Sequence, residues 1–104
     1  MIRVNLIILD ENLRRIVGEK EITFKLSENE ATIEGLIREA AKRYGNTILE
    51  TFFKPGNFIL LNGQNIEFLG GINAKLSDGD RVSIMPLIAG GFKGKELYFT
   101  ISIL

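Results

Sequence analysis

The chain of 104 residues contains no cysteine, no histidine and no tryptophan, and only 2 prolines. Without thiols or imidazoles there is no disulfide, no side-chain persulfide, no thiolate nucleophile, no imidazole base and no zinc site of the usual Cys/His kind. A nucleophilic triad cannot be assembled without histidine, and the serines and lysines show no spacing that would replace it. An excess of one charge is lacking too, since 13 Lys and Arg offset 13 Asp and Glu. Nucleic acids and anionic membranes call for a basic excess, so neither is expected as a partner. Near the N-terminus the apolar run Leu6–Leu9 stops at Asp10, too short for a signal h-region or a membrane span. These absences describe a cytoplasmic protein of a reduced compartment that is not an enzyme in its own right. Any chemistry it supports must avoid the usual side chains.

What is present fits one small domain. At this length roughly 65% of the unfolded surface is buried on folding, enough for a core without staples. A composition of 45% hydrophobic and 25% charged residues, with mean hydropathy +0.13, is that of an ordinary globular chain.

Ile2, Val4, Leu6 and Ile8 alternate with a second set, Arg3, Asn5, Ile7 and Leu9. Apolar residues in both sets predict a central, well-covered strand. The charged stretch Glu11–Glu19 reads as a turn or a long hairpin loop. Ile22, Phe24 and Leu26 alternate with Glu21, Thr23 and Lys25, a half-exposed strand returning beside the first. Ile33, Leu36, Ile37, Ala40, Ala41 and Tyr44 form one helical stripe. Thr32 is placed to cap it, Glu34 lies in its first turn, Lys42 and Arg43 in its last, and Gly45 offers a left-handed C′ position.

Ile48, Leu49, Phe52 and Phe53 suggest a short second helix closed by Lys54-Pro55-Gly56. Phe58–Leu61 reads as a strand entering an Asn62-Gly63 tight turn, because a type I′ turn needs positive φ at both central residues. Ile66-Glu67-Phe68 is its expected partner, and Leu69-Gly70-Gly71-Ile72 is irregular. Leu76–Asp80 is a turn into a strand over Arg81–Leu87. This order of elements predicts an α+β fold, with one main helix packed across a mixed sheet.

Two local motifs could be mistaken for chemistry. Asp78-Gly79-Asp80 has the residues of a metal or acid/base pair, but Asp-Gly-Asp at a strand entry is a turn whose carboxylates bond nearby amides. Ala89-Gly90-Gly91-Phe92-Lys93-Gly94-Lys95-Glu96 is glycine-rich, yet Ala89 stands where a P-loop needs Gly and Glu96 where it needs Ser or Thr. The residues after it, Leu97–Ile103, alternate like a strand, where a phosphate cradle needs a helix. Adjacent glycines are expected about once by chance at this glycine content, and Gly70-Gly71 is a second such pair. Gly90-Gly91 stands out by context, a few residues past a well-formed strand.

The run from Phe58 through Asn62-Gly63 to Ile66, then Leu69-Gly70-Gly71-Ile72, then Leu76-Ser77-Asp78-Gly79-Asp80-Arg81-Val82 through Pro86 to Gly90-Gly91 resembles the C-terminal half of MoaD-type proteins. These are small subunits of molybdopterin synthase and relatives of the thiamin sulfur carrier ThiS. The N-terminal half fits more loosely, through the first strand, Thr32 and Tyr44-Gly45. The resemblance covers residues 1–91 and implies a β-grasp (ubiquitin-like) fold. It implies further that Gly91 is the acceptor of adenylation and thiocarboxylation, that Ala89 and Gly90 form a flexible tail, and that Pro86, Leu87 and Ile88 meet the partner. Those partners would be an adenylyltransferase that uses ATP and a large molybdopterin synthase subunit; no cofactor would be held by the chain itself. A glycine tail suits such a role because a bare backbone can thread a narrow active site.

The chain departs from the family in two places. Pro86 is followed by Leu87 where a second proline is usual, and residues 92–104 continue past the point where relatives end. An amide between Gly91 and Phe92 cannot attack ATP, so a carrier role requires a processing protease that cuts after Gly91. The division expected is therefore a β-grasp domain with its tail over 1–91 and an extension over 92–104. In the alternative, Leu97, Phe99, Ile101 and Ile103 face one way in an added C-terminal strand, and the protein is an unprocessed interaction or assembly module.

Overall fold

The computed structural model describes residues 1–86. Strand β1 (Ile2–Ile8) is followed by helix α1 (Glu11–Val17), strand β2 (Glu21–Leu26) and a 3-10 turn at Glu28–Glu30. Helices α2 (Ile33–Tyr44) and α3 (Thr47–Phe52) come next, then β3 (Asn57–Leu61) and β4 (Gln64–Asn65). Two further 3-10 turns, Ile66–Phe68 and Gly71–Asn73, lead to β5 (Arg81–Pro86). The sheet runs β2-β1-β5-β3-β4. β1 and β5 are parallel and the other pairs antiparallel, the mixed sheet with a crossing helix that defines a β-grasp.

The expected central strand is central. Val4, Leu6 and Ile8 of β1 are fully buried, meeting Ile22, Phe24 and Leu26 of β2, Val82 and Ile84 of β5, and Ile59 and Leu61 of β3. Period-2 alternation puts all of these on one face, and α2 covers it with Ile33, Leu36, Ile37 and Ala40. Ile48 and Phe52 of α3, Ile66 of a 3-10 turn and Leu13 of α1 complete the cluster. Arg43, at the end of α2, lies over the Phe24 ring, 4.6 Å from its centroid, a favourable cation–π placement.

Several local signals work as read. Thr32 Oγ1 accepts the Gly35 N–H at 3.1 Å, satisfying one orphan amide of α2. Asn62 and Gly63 have φ of 50° and 85°, and the two-residue loop they form closes the β3–β4 hairpin.

Others need correction. Glu11–Glu19 is no plain loop, because Glu11–Val17 is helical. Asp10 caps it, accepting the Leu13 N–H at 2.9 Å, and Gly18 ends it in the left-handed region. Gly45 does have positive φ, but its ψ of 178° lies outside the left-handed helical region, since the chain extends at once into α3. The partner of β3 is Gln64–Asn65 rather than Ile66–Phe68. Asn65 caps the following 3-10 turn by accepting the Glu67 N–H, which ends the pairing early. Gly71–Asn73, read as irregular, is a 3-10 turn. Leu87, the last residue of the expected final strand, lies outside the described residues, as does the expected strand after Gly91.

Candidate functional site

The residues that carry the family resemblance gather at one end of β5. Asp80 Oδ2 accepts the Ser77 N–H at 2.7 Å, and Asp80 Oδ1 accepts from Asn62 Nδ2 at 3.0 Å. Asn62 Oδ1 in turn accepts the Arg81 N–H at 2.9 Å. Asp78 Oδ1 accepts the Arg3 N–H at 2.7 Å, while Gly79 N–H donates to the Arg3 carbonyl. Both aspartates are therefore occupied in closing loops onto β1 and β3, as the turn reading expects. Among the described residues, no group of three or more His, Cys, Asp or Glu side chains gathers as metal ligands would.

β5 leaves this mesh and runs between β1 and β3 toward Pro86. Five residue steps at roughly 3.3 Å each put the two ends about 17 Å apart. Leu9 N–H donates to the Ile84 carbonyl, so the even-numbered backbone groups of β5 face β1. The nitrogen of Pro86 faces that side too, just past Ile84, where pairing with β1 stops. A proline has no N–H to continue a ladder, and so the last partner of β5 is Asn57, opposite Pro86 on β3. β5 is the strand that precedes the glycine pair in the sequence.

Of the residues expected to meet a partner, Pro86 is the one placed here, half-buried at the mouth of the sheet. Leu87, Ile88, Ala89, Gly90 and Gly91 lie outside the described residues. Around Pro86 stand Met85 and Phe58, paired across β5 and β3 and both half-buried, and Leu9 at the end of β1. The Arg14 guanidinium of α1 donates to the Ile8 carbonyl at 3.2 Å, tying α1 to the same end. Sequence reading did not connect Leu9, Phe58 and Met85 to the tail; their parity, opposite to that of Ile8, Ile59 and Ile84, was the signal available.

Charge at the surface follows helix rules rather than a site. Arg38 pairs with Glu34 one turn along α2. Lys42 bonds Glu39 at 3.1 Å, and that hydrogen bond holds the Glu39 carboxyl below the ordinary carboxylate value, against an opposing effect of desolvation.

The comparisons with known proteins agree with this geometry. The ThiS family pattern matches residues 7–91. Small archaeal modifier protein 3 of Haloferax volcanii is 34% identical over 82 residues, covering 75% of this chain and 88% of its own length. A chain of the Amycolatopsis orientalis BexX/CysO complex superposes with a TM-score of 0.69 at 26% identity, covering 85% of this chain and 99% of its own. The putative molybdopterin converting factor subunit 1 of Pyrococcus furiosus gives 0.68 at 26% identity, with 85% and 100% covered. With a family match that runs from the end of β1 through the other elements to the second glycine, this chain belongs to the ThiS family.

Proposed function

We propose that this chain is a cytoplasmic sulfur carrier whose working group is the main-chain carboxylate of Gly91, freed from Phe92 by a processing protease. The observation that carries this reading is that the family match ends at residue 91, on a glycine pair that follows β5 in the sequence. The chain contributes no catalytic side chain, in keeping with its lack of thiols and imidazoles.

The carboxylate oxygen of Gly91 attacks the α-phosphorus of ATP held by a partner adenylyltransferase. Pyrophosphate leaves and an acyl adenylate remains. Hydrosulfide supplied by a sulfur donor attacks the carbonyl carbon, AMP departs, and the product is a thiocarboxylate. Pro86, Leu87 and Ile88 seat the domain against the partner as a small apolar anchor, while Ala89 and Gly90 extend into its active site. The similarity to a molybdopterin converting factor subunit favours delivery of the sulfur to a pterin precursor within a large synthase subunit. The similarity to a modifier protein favours conjugation to another protein as a second use of the same adenylate.

The test is the intact mass of the protein from its native host, where a species ending at Gly91 is expected. Chains that are all full-length there would overturn the carrier reading. They would instead favour the unprocessed interaction module, which the alternation of Leu97, Phe99, Ile101 and Ile103 supports. In that case removal of 92–104 should lower stability or change the oligomeric state.

A further inference from the structure

Strand β4 is much shorter than the strand it flanks. It pairs with β3 only at Leu60 and Leu61, opposite Asn65 and Gln64, and the chain then turns into the 3-10 segment Ile66–Phe68. Among the described residues, no strand lies beside the outer edge of β3 from Asn57 to Ile59.

Register decides which backbone groups that edge presents. Asn62 N–H donates to the Arg81 carbonyl, in step with the pairing of Leu60 with Ser83 and Phe58 with Met85. Even-numbered residues of β3 thus bond to β5, and odd-numbered ones point their N–H and C=O away from it. The Leu60–Asn65 pair of the hairpin takes up the Ile59 carbonyl, and Asn57 N–H donates to the Lys54 carbonyl. The Asn57 side chain turns back to the Thr51 carbonyl at 2.7 Å. Two groups are left over, the Asn57 carbonyl and the Ile59 N–H. Among the described residues neither has a hydrogen-bond partner. An acceptor at one residue and a donor two residues on, facing the same way, are the groups with which a strand takes up a neighbour.

Beside them lies a cavity of about 320 Å³, with Phe52, Phe53, Ile66 and Ile72 in its walls. Phe53 is 58% exposed, a large ring left without cover. Lys54 and Glu67, of opposite sign, line the same cavity, so its charge favours neither an acidic nor a basic occupant. On an added strand, a residue opposite Phe58 points with Phe58, away from α2. Its two neighbours point with Ile59, toward the cavity.

We propose that this edge takes an extended, uncharged segment of a partner protein as an added strand, with an apolar side chain in the cavity. The two backbone groups supply affinity and the cavity supplies selectivity. A second copy of this chain fits less well, since its own free edge, β2, alternates with Glu21 and Lys25, and such charges blunt an edge. The site uses no residue beyond Pro86 and does not depend on the carrier reading.

Amide exchange and a peptide titration, both on the full chain, test it. Although Ile59 is only 7% exposed, its N–H should exchange about tenfold or more faster than those of Leu60 and Leu61, which β5 and β4 hold. Equal protection would mean that the chain itself already fills the edge, and overturns the proposal. The capped peptide acetyl-Thr-Leu-Thr-Leu-Thr-amide, in millimolar excess, should slow the Ile59 amide and shift its signal while the amides of β2 stay. No change at Ile59, or changes confined to β2, would defeat it. Of two further peptides, N-methylated at the central Thr or at the second Leu, one should bind about tenfold more weakly than the other, and which one gives the direction of the added strand. Equal binding of the two would exclude backbone pairing and overturn the proposal. Phe53→Ser, at an exposed position, should weaken the unmethylated peptide by about tenfold; unchanged binding would remove the cavity from the site and with it the proposal.

Discussion

At Arg81, β5 begins inside a mesh of side-chain hydrogen bonds from Asp78, Asp80 and Asn62. At Pro86 it ends with one neighbouring strand, a missing N–H and a rim of half-buried apolar groups. One end is anchored; at the other, the released end, pairing with the sheet stops. The anchored end continues into the start of α2, where Leu76 N–H donates to the Ala31 carbonyl and Ile33 N–H to that of Ala74. In a carrier that works through its backbone, recognisable side chains are needed only where the lever is held, and the working end can be nearly featureless. The family's most legible motifs accordingly mark the architecture, at the opposite end of β5 from Pro86, about 17 Å along the strand.

The sharpest way to break this contrast is at the released end. With Gly91→Val, on the carrier reading, formation of the acyl adenylate should fall by about 100-fold or more, since a small misplacement of reacting groups costs that much and valine lacks glycine's backbone range. The thermal midpoint should not move. Adenylation at the normal rate would remove Gly91 from the mechanism.

At the anchored end the effects should fall on stability instead. A Cβ on Gly35 would overlap the backbone carbonyl oxygen of Glu30, and neither group sits on a flexible side chain. Gly35→Ala should therefore cost about 1–3 kcal/mol, as overpacking does, read by denaturant unfolding. Asp80→Ala removes the acceptor for Ser77 N–H and for Asn62 Nδ2 at an exposed loop, a loss of about 1–2 kcal/mol. In chains ending at Gly91, both variants should be adenylated as well as the unaltered chain. An adenylation defect in Asp80→Ala larger than its stability loss would mean that the anchored end also meets the partner.

Most of the anchored end could be read from the sequence because its signals are local. Asn62-Gly63 demands a specific turn, Asp78-Gly79-Asp80 supplies its own acceptors, and Thr32 is followed at once by the stripe it caps. Helix α1 escaped because its seven residues bury one side chain, Leu13, amid charged neighbours. No periodic stripe exists at that length, and the flanking Asp10 and Gly18 were the signals to use. The apolar rim around Pro86 escaped for another reason. Leu9, Phe58 and Met85 lie far apart in sequence, and only the register of β1 on β5 and of β5 on β3 brings them together. Tertiary pairing is not encoded in any one window.

Pro86→Ala probes the released end without touching Gly91. Its nitrogen faces the side where β1 pairing has stopped, so restoring an N–H there supplies a donor with no strand partner. Stability should change by no more than about 0.5 kcal/mol, the range of substitutions away from packed or bonded features. A larger loss would mean that the proline itself fixes the direction in which the chain leaves the sheet.

The smallest effect belongs to neither end and calibrates both. The Lys42 hydrogen bond is the largest cause of the lowered Glu39 value, and both groups lie on the outer surface of α2. In Lys42→Gln the Glu39 carboxyl should titrate closer to its ordinary value of 4.5, followed by carboxyl NMR shifts. A folded-state value below the unfolded one contributes stability above the unfolded value, lost as pH falls through the folded one. The unaltered chain should therefore lose its small advantage over the variant on acidification below about pH 4.5, and 0.5 M salt should shrink the advantage at neutral pH. A Glu39 titration that ignores the substitution would assign its shift to Arg43 and Glu30, the other groups that lower it, and would make the pair a crossing of side chains rather than a bond.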